Sequence, residues 1–198
     1  MDDMAKYEKL VFIDLETTGV NPVSDRITEI GIVEVDAAGN VTRWSTLVNP
    51  EIPIPPFIQN LTGIDNAMVQ DAPVFAELAD QLAARLQGSL FIAHNARFDY
   101  GFLRNAFKAT GRSLRCEVLC TVKLSRKIFP KYARHNLDAL IERHGLVPDG
   151  RHRALGDADL LWQLWNKLIA ATSRENFADT VRLLLQRPSL PTPSKSTA

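Results

Sequence analysis

Four apolar residues, Leu10-Val11-Phe12-Ile13, run without interruption into Asp14-Leu15-Glu16 and then into Thr17-Thr18-Gly19. An apolar run that does not alternate reads as a strand covered on both faces, which demands a layered α/β architecture rather than an open surface sheet. Residues 8–15 are therefore expected to form a buried strand. Side chains two apart on a strand share a face, so Asp14 and Glu16 are expected to point to one place at its end.

Two further segments carry chemistry of the same kind. Asp99 closes His94-Asn95-Ala96-Arg97-Phe98-Asp99, directly after the apolar strand signal Ser89-Leu90-Phe91-Ile92-Ala93. His152 and Asp157 flank the start of a helical pattern in His152-Arg153-Ala154-Leu155-Gly156-Asp157-Ala158. Carboxylates brought together repel one another unless cations neutralise them, and hard oxygen donors suit Mg²⁺ or Mn²⁺. An imidazole titrating near neutrality can then activate water. Such a set is equipped for two-metal hydrolysis of a phosphodiester. The plainer readings are an acidic strand end for Asp14 and Glu16, a helix N-cap for Asp99 and a solvated loop histidine for His152.

The remaining punctuation sets the order of elements. Residues 27–36 alternate, and Ala37-Ala38-Gly39-Asn40 turns them into 41–48 as a hairpin. The proline-rich stretch 49–56 is too stiff and donor-poor for a central strand. Helices are expected over 74–86, 98–109, 122–128, 137–144 and 156–171, with short strands at 90–93 and 117–120. Strands joined by a hairpin, then alternating helix and strand, predict an α/β domain with a mixed sheet. The expected division is a catalytic domain over 1–171, an additional helix over 172–187 and a flexible Pro/Ser-rich tail over 188–198. Trp162 and Trp165, three apart beside Leu161 and Leu164, read as core.

The three motifs, in this order, resemble those of the DEDDh group of DnaQ-like 3′–5′ exonucleases, the family of the epsilon proofreading subunits of bacterial DNA polymerase III. The likeness spans roughly residues 8–170. It implies a ribonuclease H-like fold, a five-stranded mixed sheet flanked by helices with the first strand central. It implies removal of nucleoside 5′-monophosphates from single-stranded or frayed 3′ ends of DNA, in proofreading or repair, with two Mg²⁺ or Mn²⁺ ions per site. Asp14 would bridge both ions, Glu16 and Asp157 would hold one, Asp99 would help hold the other, and His152 would be the general base. Thr17 and Thr18 are candidates for holding the terminal sugar and phosphate. Leu61, in Leu61-Thr62-Gly63-Ile64, stands where relatives wedge a leucine between the last two bases, although Thr62 replaces the histidine common there. His94 and Asn95 contact substrate or brace their loop, and Phe98 packs against a nucleotide or belongs to the core. An exoribonuclease of the same superfamily and a non-catalytic nucleic-acid-binding subunit are the alternatives. A mere binder has no need of repelling carboxylates. The tail reads as a tether to a polymerase or clamp, or as a junction to a fused GIY-YIG endonuclease module.

A formal net charge of zero conceals an asymmetry: residues 1–96 carry 5 Lys/Arg against 14 Asp/Glu, and residues 97–198 carry 18 against 9. A basic groove beside an acidic site is the expectation, with a phosphate backbone along it. No stretch approaches the ~18 apolar residues of a membrane span, and the first residues lack the pattern of a signal peptide. Cys116 and Cys120 have no second pair to complete a zinc site. A cytoplasmic protein with two reduced thiols is expected.

Overall fold

The computed structural model describes residues 6–186. Five strands, β1 (Lys9–Thr17), β2 (Ile27–Asp36), β3 (Val41–Leu47), β4 (Ser89–Ala93) and β5 (Glu117–Cys120), form one mixed sheet ordered β3-β2-β1-β4-β5. β1–β2 and β2–β3 pair antiparallel, while β1–β4 and β4–β5 pair parallel. β1 lies in the middle, as its unbroken apolar run requires, and Val11, Phe12 and Ile13 are wholly inaccessible to solvent. Its pairing with β4 stops at Phe12↔Ile92, so β1 continues past that partner to present Asp14 and Glu16.

Eight helices flank the sheet among the described residues: α1 (Pro56–Thr62), α2 (Asn66–Gln70), α3 (Phe75–Leu86), α4 (Arg97–Ala109), α5 (Thr121–Ile128), α6 (Leu137–His144), α7 (Ala154–Ala170) and α8 (Arg174–Leu185). One face of the sheet, with Phe12, Val33, Leu90 and Ile92, is covered by α7 and α8. The other, with Val11, Ile13, Leu15, Ile30 and Phe91, is covered by α3 and α4. The tryptophans are core: the rings of Trp162 and Trp165 lie 5.5 and 5.7 Å from that of Phe12. α8 is part of this core rather than an appendage, since Phe177 meets Trp165 edge-on at 4.8 Å. The tail expected over 188–198 lies outside the described residues. Among the described residues no helix is long and apolar enough to cross a membrane.

The sequence reading left residues 57–70 unassigned, and they form α1 and α2. Their apolar periodicity is too short to declare a helix, but the end signals are present. Pro56 occupies the first turn of α1, and Gly63 ends it in the left-handed region at φ 71°. Asp65 caps α2 by accepting the Met68 N–H. Ile54, Ile58, Ile64 and Val69 give the pair a small core of its own.

One contact fixes where α7 sits. Gly31 on β2 lies directly across from Asp14 on β1. A Cβ built on Gly31 would come within 2.1 Å of the Ala154 carbonyl carbon and 2.2 Å of the Leu155 nitrogen. The missing side chain therefore lets the first turn of α7 rest on the strand backbone. Gly31→Ala is expected to push that turn away, destabilising the chain by about 1–3 kcal/mol as overpacked cores do. Urea unfolding checks it: a midpoint unchanged from wild type would mean the contact is not tight.

Candidate active site

The carboxylates come from both faces of the sheet to the end of β1. Asp14 and Glu16 project on the α7 side, and Asp157, the fourth residue of α7, meets them there. One carboxylate oxygen from each of the three lies within 4.8 Å of the others, a spacing that one cation can bridge. Asp99 approaches from the opposite layer. It is the third residue of α4, whose N-cap is Ala96, so the N-cap alternative for Asp99 does not hold. Its carboxylate, only 2% exposed, is approached by the backbone N–H groups of Asp99 itself and of Leu15.

So much negative charge in poor contact with water holds protons tightly. Desolvation, followed by repulsion from Asp99, Asp157 and Glu16, raises the Asp14 carboxyl well above its ordinary range. Desolvation and then Asp157 and Glu29 lift Glu16 to about 8. Asp99 is raised to about 7 by desolvation. The chemistry of this donor set, hard oxygens with excess negative charge, fits a divalent cation.

The protein supplies a cation of its own. The Nη1 of Arg151 donates to both carboxylate oxygens of Asp157, and its Nη2 donates to Asp138 on α6 at 2.7 Å. Two residues on, Arg153 donates through Nη2 to Glu29 at 2.7 Å and through Nε to both Glu29 oxygens. The same carboxylate accepts the Ala154 N–H at 2.8 Å, satisfying a free donor at the start of α7. Glu29 is 4% exposed and lies across from Glu16 in the sheet register. Asp138, Glu29 and Gly31 had no place in the sequence reading of the site, and Arg151 and Arg153 entered it only as charges beside His152, not as partners of carboxylates. A signal existed on β2, where Glu29 and Gly31 interrupt the face that continues with Val33 and Val35.

The structure does not bring His152 to the carboxylates. It is exposed, between the two anchored arginines, in the left-handed region at φ 57°. The other candidates divide. Leu61 stands out from α1, 53% exposed. Thr17 and Thr18 are buried, the first donating to the Gly19 carbonyl and the second accepting the Arg26 N–H, so their hydroxyls are engaged in the β1–β2 connection. Phe98 packs against Phe102 at 4.8 Å beside the core. Asn95 is exposed in a left-handed turn at φ 59°, a region asparagine tolerates. His94 bonds Thr121 through Nδ1 at 2.9 Å, and burial, then the charge of Arg151, drives its pKa down to about 4, keeping the ring neutral. Cys116 and Cys120 are free thiols.

A mixed sheet with acids gathered at the end of its central strand is the architecture of ribonuclease H-like nucleases. Residues 11–164 match the model of the exonuclease family of the RNase T type, and the chain belongs to that family. The DNA polymerase III subunit epsilon of Treponema pallidum is 33% identical over 177 residues, covering 87% of this chain and 82% of that protein. The 3′-5′ exonuclease DinG of Bacillus subtilis is 40% identical over 155 residues, 77% of this chain, but this chain spans only 17% of its length. Among solved structures, exonuclease X in complex with 5′ overhanging duplex DNA is similar at a TM-score of 0.68 and 30% identity, over 87% of this chain and 99% of that one.

The three raised carboxyls have a thermodynamic consequence. In the unfolded chain they release protons near pH 4, whereas in the folded chain Asp99 keeps its proton until about 7 and Glu16 until about 8, and Asp14 is shifted in the same direction. The folded state therefore binds more protons across that window, and its stability falls as pH rises through it. The melting temperature of EDTA-treated protein is expected to decline between about pH 5 and pH 8, and Mn²⁺ is expected to raise it most at the upper end. A profile that climbs with pH, or a Mn²⁺ effect confined to low pH, would contradict the carboxylate assignment.

Proposed function

We propose that the chain is a 3′–5′ exonuclease that hydrolyses terminal phosphodiester bonds of DNA with two Mg²⁺ or Mn²⁺ ions, releasing nucleoside 5′-monophosphates. The observation that carries this reading is the convergence of Asp14, Glu16 and Asp157, with Asp99 beside them, at the end of the central strand. Membership of the exonuclease family supports the reaction class. The names of the epsilon and DinG relatives, and the DNA held by exonuclease X, support the polarity and the substrate. The epsilon relative also supports proofreading beside a polymerase as the setting.

The side chains divide the labour. Asp14, Glu16, Asp99 and Asp157 would hold the ions. Held by these four carboxylates, the ions would supply a lowered pKa for the attacking water and charge stabilisation for the departing 3′-oxygen. The water oxygen forms the new bond to phosphorus while the bond from phosphorus to the 3′-oxygen breaks. His152 takes the proton released by the water. For that, the turn 149–152 has to rotate so that the ring faces the carboxylates, and Arg151 has to leave Asp157. Arg151 is the stand-in cation of the resting site, and its withdrawal vacates the Asp157 oxygens. The pairing of Glu29 with Arg153 and the Ala154 N–H keeps the start of α7 fixed while the turn moves. Leu61, exposed on α1, is available to wedge against a terminal base.

A time course on 3′- and 5′-labelled DNA and RNA oligomers with Mg²⁺, Mn²⁺ or EDTA tests the function. Stepwise loss of the 3′ label from DNA only with metal is expected, and cleavage in EDTA or from the 5′ end would sink the reading. Asp14→Ala is expected to abolish Mn²⁺ binding and reduce turnover by orders of magnitude while keeping or raising the melting temperature, because a repelling charge is removed. His152→Ala is expected to lower turnover ~10²–10⁴-fold yet retain Mn²⁺ affinity. A calorimetric loss of Mn²⁺ as large as that in Asp14→Ala would make His152 a ligand instead. Arg151→Ala, lacking the internal competitor, is expected to bind Mn²⁺ more tightly than wild type in the same titration, and weaker binding would refute the stand-in role.

A further inference from the structure

Between Glu117 and Asp138 the chain contains five cations, Lys123, Arg126, Lys127, Lys131 and Arg134, and no carboxylate. All five are exposed. Lys123, Arg126 and Lys127 stand at helical spacings of three and four on α5, whose opposite face buries Leu124 and Ser125. Some basic side chains elsewhere among the described residues are neutralised, Arg43 by Asp159, Arg85 by Glu34, Arg112 by Asp80 and Arg153 by Glu29, while others such as Arg104 and Lys108 on α4 are not. Among the described residues none of these five stands in an ion pair. A stripe of like charges left unpaired is unfavourable in isolation and is relieved by a polyanion.

The segment after α5 is clasped by side-chain contacts. His135 is buried and bonds Ser125 through Nδ1 and the Tyr132 carbonyl through Nε2, each at 2.9 Å. Arg143 stacks 3.9 Å from the centre of the Tyr132 ring and donates to the Arg134 carbonyl at 2.6 Å. Tyr132 itself remains 50% exposed. A half-exposed aromatic held among cations is the composition of a single-strand binding surface, where phosphates meet the charges and a base meets the ring. Both ends of the segment touch the site. Thr121, the first residue of α5, bonds His94, and Asp138, just beyond the segment, bonds Arg151.

We infer that the exposed stripe of α5 and the clasped segment after it form a platform for the phosphate backbone of single-stranded DNA, upstream of a 3′ end lodged at the carboxylates. The inference rests on the exonuclease reading above and extends it to nucleotides that are not hydrolysed. An acidic active site repels its own polyanionic substrate, and a cationic surface at its rim offsets that repulsion.

The test compares wild type with Lys123→Glu/Arg126→Glu/Lys127→Glu on two substrates, dT20 and dT3. Binding of labelled dT20 is measured in EDTA over a range of salt. The triple variant is expected to bind dT20 more than tenfold more weakly, and the slope of log affinity against log salt is expected to flatten by about two, as for three lost phosphate contacts on a single strand. With Mn²⁺, KM for dT20 is expected to rise at unchanged kcat, while hydrolysis of dT3, too short to reach along α5, stays within about twofold. Tyr132→Ala is expected to weaken dT20 binding without changing the salt slope. If charge reversal lowers the melting temperature, Lys123→Gln/Arg126→Gln/Lys127→Gln is expected to give the same flattening. Wild-type affinity and slope in the folded triple variant would overturn the platform, as would an equal loss on dT3 and dT20. A wild-type protein that degrades no DNA at all would instead overturn the exonuclease reading beneath it.

Discussion

The approach of a helix to a β-strand is limited by the strand's Cβ atoms, and the whole site depends on the one place where β2 removes that limit. Gly31 lets the backbone of Ala154 and Leu155 settle onto the sheet directly across from Asp14. Glu29, two residues earlier on the same face, accepts the first amide of α7 and grips Arg153. Asp157, one turn into the helix, is thereby delivered to Asp14 and Glu16. A short segment of β2 thus determines whether the carboxylates meet.

Once they meet, electrostatics governs the behaviour of the site. Four carboxylates in poor contact with water cannot all remain ionised, and the raised pKa values of Asp14, Glu16 and Asp99 express that conflict. Arg151 relieves part of it by bonding Asp157. A guanidinium is a planar donor suited to one carboxylate, whereas a divalent ion concentrates charge between several. The backbone of His152, in the left-handed region, lies between the two arginine anchors.

The zero net charge of the chain hides a division of labour in space. Acids are concentrated where they repel each other, at the end of β1. A run of five unpaired bases with no carboxylate among them lies on α5 and the segment after it, which touches the site at both ends. The imbalance between the halves of the chain takes one local form in a helix stripe and its continuation.

Much of this was legible in the order of the residues. The unbroken run Leu10–Ile13 placed β1 at the centre, alternation placed β2 within the hairpin, and Gly and Pro punctuation marked the helices from α3 onward. The spacing within the three motifs named the carboxylates, because those residues follow local strand and helix geometry that a sequence repeats faithfully. α1 and α2 escaped because helices this short carry no periodicity, only caps. Glu29, and the carboxylate partners of Arg151 and Arg153, escaped for a different reason. The Glu29–Arg153 contact joins residues 124 positions apart, and nothing local marks them as partners. Likewise the engaged hydroxyls of Thr17 and Thr18 and the outward turn of His152 are set by packing and by competing hydrogen bonds. The sequence alone determined which chemical groups stand at the end of the central strand. Tertiary structure decided how near they come, which arginine neutralises them and which way the histidine points, since each depends on long-range contacts that local pattern does not encode.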